Sequence, residues 1–181
     1  RSKGEFAAGH IPGALSVQAD EGFSNWAGWT LDHEKPVILL APEQRVDELV
    51  RGLVRVGIDR VTGFLPDMEE WNSDSRPVRK LQQLSPNELF RKKEGYEIID
   101  VRGEDEWQEG HIEGARHIHV GFLTERQKEL SREGRLLLHC ASGSRSTLAA
   151  SILENLGFED VTNLAGGMEA WEEAGLPVER G

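Results

Sequence analysis

Cysteine is nearly absent from this 181-residue chain, whose one cysteine is Cys140. A single cysteine cannot form an intrachain disulfide, which excludes the small secreted domains that disulfides hold together. A lone thiol also persists most easily where glutathione and thioredoxin keep cysteines reduced. We therefore expect a cytoplasmic protein in which Cys140 is a free thiol.

Long apolar runs and positive charge are lacking as well. No run approaches the roughly 20 apolar residues that cross a bilayer, and the first residues lack the apolar core of a signal peptide. Acidic residues outnumber basic ones by 32 to 21, for a formal net charge of −11. Because this charge repels nucleic acid and anionic membranes, neither is an expected partner, and an anionic substrate would need a locally positive site.

What the chain does contain is an internal repeat, at an offset of about one hundred residues. Residues 1–14 align with residues 102–115, and both segments contain the pattern Gly-His-Ile-x-Gly-Ala. Farther along, the matched pairs are Arg45 with Arg145, Gly57 with Gly157, Met68 with Met168, and Trp71 with Trp171. Similarity at a domain-sized period indicates duplication of a domain, not a solenoid.

The second copy alternates strand and helix signals. Ser85 and Glu88 form a capping-box pattern around Pro86, which predicts the start of a short helix. Apolar segments predict strands at residues 96–101, 135–140 and 161–164. Apolar spacing predicts helices at residues 146–156, which Gly157 ends, and at residues 168–174. Strands separated by helices indicate a parallel α/β sheet.

A polar segment at residues 72–77 separates the copies and predicts a linker. We therefore expect two α/β domains, residues 1–76 and 77–181, each with a parallel central sheet flanked by helices. Arg1 aligns with Arg102, yet nothing before Arg1 matches the capped helix and the strand that precede Arg102. The first domain is thus expected to be N-terminally incomplete, with an open slot in its sheet.

The segment most informative about chemistry is residues 136–150, which reads as an apolar strand, Cys140, a loop of small residues, Arg145 and a helix. In a parallel α/β sheet, a residue at the carboxyl end of a strand lies where ligands bind. Small side chains let consecutive N–H groups converge beside a helix N-terminus, which makes an anion-binding nest. This nest and the arginine are expected to favour the thiolate of Cys140. The expected nest residues are Ala141, Ser142, Gly143, Ser144, Arg145 and Ser146.

Three other roles for Cys140 agree less well with the residues around it. Free cysteines are most often buried core residues, but the glycine-centred loop and the arginine that follows favour a reactive one. A nucleotide-binding P-loop would need the pattern G-x-x-x-x-G-K-[ST], which is missing here. A redox C-x-x-C pair would need a second cysteine.

On these residues the sequence resembles the rhodanese family of sulfurtransferases. The motifs that carry the resemblance, in the family's order, are residues 100–102, 110–115, 140–145 and 166–171. The resemblance implies a parallel α/β fold and a catalytic Cys140, which takes a sulfane sulfur from thiosulfate or a low-molecular-weight persulfide. It implies that residues 141–146 hold the resulting enzyme persulfide, that a thiol, sulfite or cyanide accepts the sulfur, and that no metal or organic cofactor takes part. Glu113 departs from the family's usual proline, on a loop.

Rival functions stay open at this point. Phosphatases and arsenate reductases of similar fold need one more residue between cysteine and arginine, because phosphate fills a wider cradle than one sulfur atom, so sulfur transfer is favoured. A non-catalytic interaction or scaffold module is the other rival. The first copy is expected to be inactive, since Leu40 aligns with Cys140 and its loop contains Pro42 and Glu43 but no glycine.

An inactive copy followed by an active one, with Trp26 and Trp29 in the first, also resembles the C-terminal region of certain fusion proteins. Those proteins begin with a metallo-β-lactamase-fold persulfide dioxygenase, which the resemblance implies as an upstream partner. His117 and His119 lie two apart and could chelate a metal from one strand, but solvated histidines are the expected state. Asp100 and Arg102 are expected to form a buried ion pair.

Overall fold

The computed structural model describes residues 1–180 and divides the chain into two compact units, the first spanning Arg1–Arg79 and the second beginning at Lys80. The first unit continues past residue 76 because its last residues bond back to it. Backbone groups of Arg79 and His10 exchange two hydrogen bonds of 2.9 Å. The indole N–H of Trp71 also donates to the carbonyl of Pro77 at 3.0 Å.

The first unit pairs two parallel strands and packs helices against them. Apolar residues of α2 and α3 bury Leu39 of β1, and Leu53 is fully buried at the centre of this cluster. The elements are α1 (Lys3–Ala8), α2 (Phe23–Thr30), β1 (Val37–Leu40), α3 (Glu43–Arg55), β2 (Val61–Leu65) and α4 (Glu69–Ser73).

One face of the two-stranded sheet is open to solvent. Ile38 comes one residue before the buried Leu39 in β1, so its side chain points to the opposite face of the sheet, and it is 66% exposed. Phe64 of β2 is 40% exposed as well, although it pairs with Leu39 and so lies on the other face. Large apolar side chains are therefore exposed on both strands of this short sheet.

The second unit contains a five-stranded parallel sheet in the order β3-β7-β6-β4-β5. Its elements are β3 (Gln82–Leu84), α5 (Pro86–Lys92), β4 (Glu97–Asp100), α6 (Glu104–Glu109), β5 (Arg116–His117), α7 (Leu123–Arg126), β6 (Leu136–His139), α8 (Ser144–Asn155), β7 (Val161–Leu164) and α9 (Gly167–Glu173). The sheet is flanked by helices, and its central strand β6 is buried along its whole length. The α/β fold with a parallel sheet is therefore confirmed.

Local sequence signals explain how these elements begin and end. The predicted capping box opens α5, where the Ser85 side chain accepts from the Glu88 N–H and the Glu88 carboxylate accepts from the Ser85 N–H. Gly157 has φ +85° just past the end of α8, a left-handed conformation that glycine adopts without strain. Between α5 and α9, a core of eight buried residues includes Leu89, Leu137 and Trp171.

The two units differ most in the loop after their matching strands. Ala41 and Pro42 join β1 to α3, whereas the four residues 140–143 join β6 to α8. Ala41, and not Leu40, is therefore the residue that directly follows the strand, as Cys140 does in the second unit. The shorter loop has no room for the turn that Gly143 makes. Among the helices of residues 1–180, none is long and apolar enough to cross a membrane.

Candidate active site

Cys140 lies directly after β6, at the carboxyl edge of the parallel sheet, and begins the loop that leads into α8. Its neighbours on both sides of the sheet are buried strands, so the side chain has little access to solvent and is 1% exposed. The thiol is free. A cysteine at this edge of a parallel sheet is held in the place where such folds bind ligands.

The loop converges on the sulfur of Cys140. The backbone N–H of Gly143 donates to Sγ at 3.1 Å, and the buried hydroxyl of Ser146 lies 3.5 Å from it. Gly143 has φ +107°, in the left-handed region, and this turn brings its N–H inward toward the sulfur. Because N–H and O–H dipoles are directed at one atom, the loop favours negative charge on that sulfur.

The outer side of the same loop is tied to the start of α9. The N–H of Met168 donates to the carbonyl of Cys140 at 2.8 Å, and the N–H of Glu169 donates to the carbonyl of Ala141 at 3.0 Å. Gly167 makes this approach possible, since an added Cβ would lie 2.3 Å from the Cys140 carbonyl oxygen and 2.4 Å from that of Ala141. With these two carbonyls bonded to the start of α9, the loop is held where the N–H of Gly143 reaches the sulfur.

The guanidinium of Arg145 forms a two-pronged ion pair with the carboxylate of Glu106, with nitrogen–oxygen distances of 2.5 and 2.7 Å. The Glu106 carboxylate also accepts the N–H of Gly103 at 3.1 Å. Hydrogen bonding between the two groups, above all other causes, raises the pKa of Arg145 and lowers that of Glu106. The positive charge of Arg145, which was expected to act on Cys140, is therefore shared with the carboxylate of Glu106, a residue that sequence reasoning missed.

The expected nest residues have different roles. Cys140, Gly143 and Ser146 are in direct contact, and Ala141 contributes a carbonyl to the α9 junction. Arg145 lies on the first turn of α8 and bonds to Glu106. The remaining two, Ser142 and Ser144, lie in the loop and at the first position of α8.

A buried ion pair lies at the end of β4, the strand next to β6. The guanidinium of Arg102 donates to both carboxylate oxygens of Asp100, at 2.6 to 3.0 Å, and to the carbonyl of Gly110 at 2.6 Å. Both side chains are buried. The expected ion pair is therefore confirmed, and it fixes the chain between β4 and the segment at residues 110–115.

His139, the residue before Cys140, is fully buried beside this ion pair. Its Nε2 lies 3.6 Å from Oδ2 of Asp100, too far for a good hydrogen bond. Burial, only partly opposed by the Asp100 charge, lowers the pKa of His139 to about 4. The imidazole therefore stays neutral in the folded protein at pH 5 and above.

This buried histidine predicts a loss of stability in mild acid. The unfolded chain protonates His139 near its ordinary pKa of 6.5, whereas the folded protein does not until about 4. Because the unfolded state binds more protons between those values, stability falls as the pH falls, by about 2 kcal/mol from pH 7 to pH 5. The free energy of unfolding of His139→Leu, measured by urea denaturation at each pH, should depend less steeply on pH over this range than that of the wild type. An equal pH dependence in the variant and the wild type would show that His139 is not the cause of the loss of stability.

His117 and His119 are engaged in other ways than by a metal. Nε2 of His117 lies 2.8 Å from the carbonyl of Arg102, and its Nδ1 lies 3.2 Å from Glu104. Nδ1 of His119 accepts the N–H of Gly121 at 3.2 Å. Over the part of the chain that the structure describes, no three histidine, cysteine or carboxylate side chains cluster as metal ligands would.

The second unit is similar to known proteins. The family model of the rhodanese-like domain matches residues 85–174. The thiosulfate sulfurtransferase GlpE of Pseudomonas putida (strain KT2440) is 36% identical over 104 residues, which are 56% of this chain and 94% of that protein. GlpE of Coxiella burnetii (strain RSA 493) is 33% identical over 94 residues, covering 52% of this chain and 87% of that protein. A relative from Bacillus subtilis (strain 168) is 36% identical over 88 residues, and the match spans 48% of its length.

Solved structures agree with the sequence relatives. A rhodanese-related protein of Thermoplasma volcanium superposes with a TM-score of 0.52 at 31% identity, covering 54% of this chain and 97% of that one. A rhodanese-like domain protein of Staphylococcus aureus gives 0.51 at 28% identity, covering 56% and 99%. The family model lies within the second unit, so a second family domain and the metallo-β-lactamase-fold partner stay predictions. Through its second unit, which begins at Lys80, the chain belongs to the rhodanese family.

Proposed function

We propose that the chain is a sulfurtransferase, which moves a sulfane sulfur from thiosulfate or a low-molecular-weight persulfide to a thiophilic acceptor through a persulfide on Cys140. The observation that carries the proposal is the convergence of the Gly143 N–H and the Ser146 hydroxyl on Sγ of Cys140. Relatives of this domain are named thiosulfate sulfurtransferases. A loop with donors directed at one sulfur suits an anionic persulfide.

In the proposed cycle, the Cys140 thiolate attacks the outer sulfur of the donor. A sulfur–sulfur bond forms on the enzyme as the donor's own sulfur–sulfur bond breaks, and sulfite or a thiolate leaves with the electron pair. The loop then holds the terminal sulfur until a thiol, sulfite or cyanide attacks it. The sulfur–sulfur bond to Cys140 breaks in that step, and the Cys140 thiolate leaves with the electron pair. Each step exchanges one bond to sulfur for another, so the cycle needs no metal or organic cofactor.

The position of Arg145 disfavours the phosphatase and arsenate reductase alternatives. An enzyme of that kind uses its loop arginine to bind two oxygens of a tetrahedral oxyanion. Here both terminal nitrogens of Arg145 are already bonded to Glu106. Four residues, Ala141 to Ser144, separate the cysteine from the arginine. The loop is therefore one residue shorter than in those enzymes, a length that suits one sulfur atom and not a phosphate.

Intact-mass spectrometry tests the proposal against the non-catalytic scaffold alternative. After exposure to thiosulfate and desalting, the protein is expected to gain the mass of one sulfur atom, because the chain has one thiol. Later addition of cyanide should remove that mass and release thiocyanate. A scaffold module would gain no sulfur from thiosulfate or from an alkyl persulfide, and that result would reject the proposal.

We also propose that the first unit is an incomplete, non-catalytic rhodanese-like copy in a cytoplasmic protein. Ala41 follows its strand where Cys140 follows β6, so the unit has no nucleophile there. Arg45, the counterpart of Arg145, bonds instead to Glu48 on the same helix and to the carbonyl of Ala19. The open face of β1, where Ile38 is exposed, supports an incomplete sheet. The single free cysteine supports the reducing compartment.

A further inference from the structure

The ion pair between Arg145 and Glu106 lies at the edge of the sulfur-binding loop, and its two partners come from different elements. Arg145 is on the first turn of α8, directly after the loop, and Glu106 is on the first turn of α6. Their side chains are 20% and 36% exposed, so solvent screens the pair only in part. Bidentate geometry at 2.5 and 2.7 Å engages both terminal nitrogens of Arg145 with Glu106.

The other charged groups around this edge add no net positive charge. Asp100 and Arg102 form their own buried pair, one charge of each sign. Burial first, and then the positive charge of Arg145, lower the pKa of His119, so that its ring is neutral near pH 7. The pKa of Arg145 is raised first by its hydrogen bond to Glu106, against the effect of burial, and the Cys140 sulfur is a smaller contributor. The negative charge of the Glu106 carboxylate largely offsets the positive charge that Arg145 would otherwise direct at the sulfur site.

This compensation matters because sulfane-sulfur donors differ in charge. Thiosulfate is a dianion, whereas an alkyl persulfide or a thiosulfonate carries one negative charge. Either donor must approach a negatively charged sulfur, and the repulsion grows in proportion to the donor's charge. A free arginine at the loop would offset this repulsion, and an arginine already paired with a carboxylate does so far less.

We infer that Glu106 is a specificity-determining residue, which by neutralising Arg145 makes the Cys140 site favour donors with a single negative charge, such as alkyl persulfides, over thiosulfate. The inference rests on the proposed sulfurtransferase function. It concerns the class of donor and leaves the nucleophile and the loop unchanged.

Two donors of nearly equal shape isolate the effect of charge. Thiosulfate and methanethiosulfonate both present an outer sulfur bonded to a tetrahedral sulfur, but a methyl group replaces one charged oxygen in the second. Attack by the Cys140 thiolate forms the enzyme persulfide in both cases and breaks the donor's sulfur–sulfur bond. Sulfite leaves from thiosulfate and methanesulfinate from methanethiosulfonate, each with the electron pair, so that total charge is conserved.

The test compares kcat/KM for the two donors, with cyanide as the acceptor, in the full chain and in Glu106→Gln. Removal of the carboxylate charge exposes the charge of Arg145, which attracts a dianion twice as strongly as a monoanion. We expect kcat/KM to rise about tenfold for thiosulfate and about threefold for methanethiosulfonate, which raises their ratio about threefold. Added salt should reduce the gain.

Asp105→Asn is the matched control, because it removes one negative charge from the neighbouring position of α6. Asp105 is exposed and its carboxylate is not part of the Arg145 pair. The donor ratio of this variant should stay at the wild-type value. A rise equal to that of Glu106→Gln would show that net charge, and not the ion pair, sets the preference.

A double-mutant cycle separates charge from positioning. Arg145→Gln alone leaves the Glu106 carboxylate unpaired and should lower the ratio of thiosulfate to methanethiosulfonate by about threefold. The double variant Glu106→Gln with Arg145→Gln removes both charges and should return the ratio to near its wild-type value. Thermal melting of each variant checks that it is folded.

The outcomes distinguish the inference from the proposed function. If the wild-type chain transfers sulfur from neither donor, the proposed function fails. If it transfers sulfur but the ratio in Glu106→Gln is unchanged, or if kcat/KM falls equally for both donors, then Glu106 merely positions Arg145 and the inference alone is overturned. A raised ratio that the double variant reverses supports it.

Discussion

Replacement of Cys140 by serine is expected to lower the rate of thiocyanate formation from thiosulfate and cyanide by at least about a thousandfold, since loss of a covalent nucleophile removes the reaction path itself. A serine hydroxyl stays protonated at neutral pH and is a poor nucleophile toward sulfur. The fold should survive, because serine is close to cysteine in size. Circular dichroism and thermal melting check the fold, and a coupled colorimetric assay follows thiocyanate.

Cys140→Ala is the companion variant, which removes the nucleophile without adding a polar group to a site that is nearly closed to solvent. Both variants should be equally inactive and should gain no sulfur in intact-mass measurements. Activity above about a tenth of the wild-type value in either variant would remove Cys140 from the mechanism.

Gly167→Ala is expected to have the second largest effect, although this residue touches no substrate. Its Cβ would overlap the carbonyl oxygens of Cys140 and Ala141, at 2.3 and 2.4 Å, so that the loop and the start of α9 must separate. We expect a loss of at least about 3 kcal/mol in the free energy of unfolding. Sulfur transfer should fall about a hundredfold, because displacement of the loop by an ångström misdirects its donors.

Gly175→Ala is the control for this prediction. Gly175 has φ +66°, close to the +61° of Gly167, but no atom lies within 4 Å of the Cβ that alanine would add. The control therefore carries the same backbone strain, about 1 to 2 kcal/mol, without the overlap, and its activity should match the wild type. Equal losses in both variants would show that backbone conformation alone explains the effect.

Much of the second unit could be predicted from sequence, because strong local patterns specify it. The capping residues Ser85 and Glu88 and the apolar segments of the three central strands each indicate one structure by themselves. The strands β3 (Gln82–Leu84) and β5 (Arg116–His117) were not predicted. They are three and two residues long and largely polar, and they exist through pairing with their neighbours.

The candidate site likewise contains some residues that could be predicted from sequence and others that could not. Cys140 and its loop lie in one continuous segment, so their chemistry can be inferred from residue types and spacing. Glu106 lies 39 residues from Arg145 in sequence. Gly167 is also distant in sequence from the loop that it contacts at Cys140 and Ala141, because α8 and β7 come between them in the chain. The signals that could have found them are the glutamates at matching positions of the repeat, Glu5 and Glu106, and the adjacent glycines Gly166 and Gly167 at the start of α9.

The burial of Cys140 has a consequence for the regiochemistry of the second half of the cycle. A persulfide has two electrophilic sulfur atoms, and attack on the inner one would expel hydrosulfide and leave the acceptor bound to the enzyme as a mixed disulfide. At 1% exposure, the inner sulfur is covered by the loop and the strands beside it. The terminal sulfur stands about 2 Å farther out. An acceptor thiol therefore meets the terminal sulfur first, and the protein is expected to avoid a dead-end disulfide without a second cysteine to resolve it.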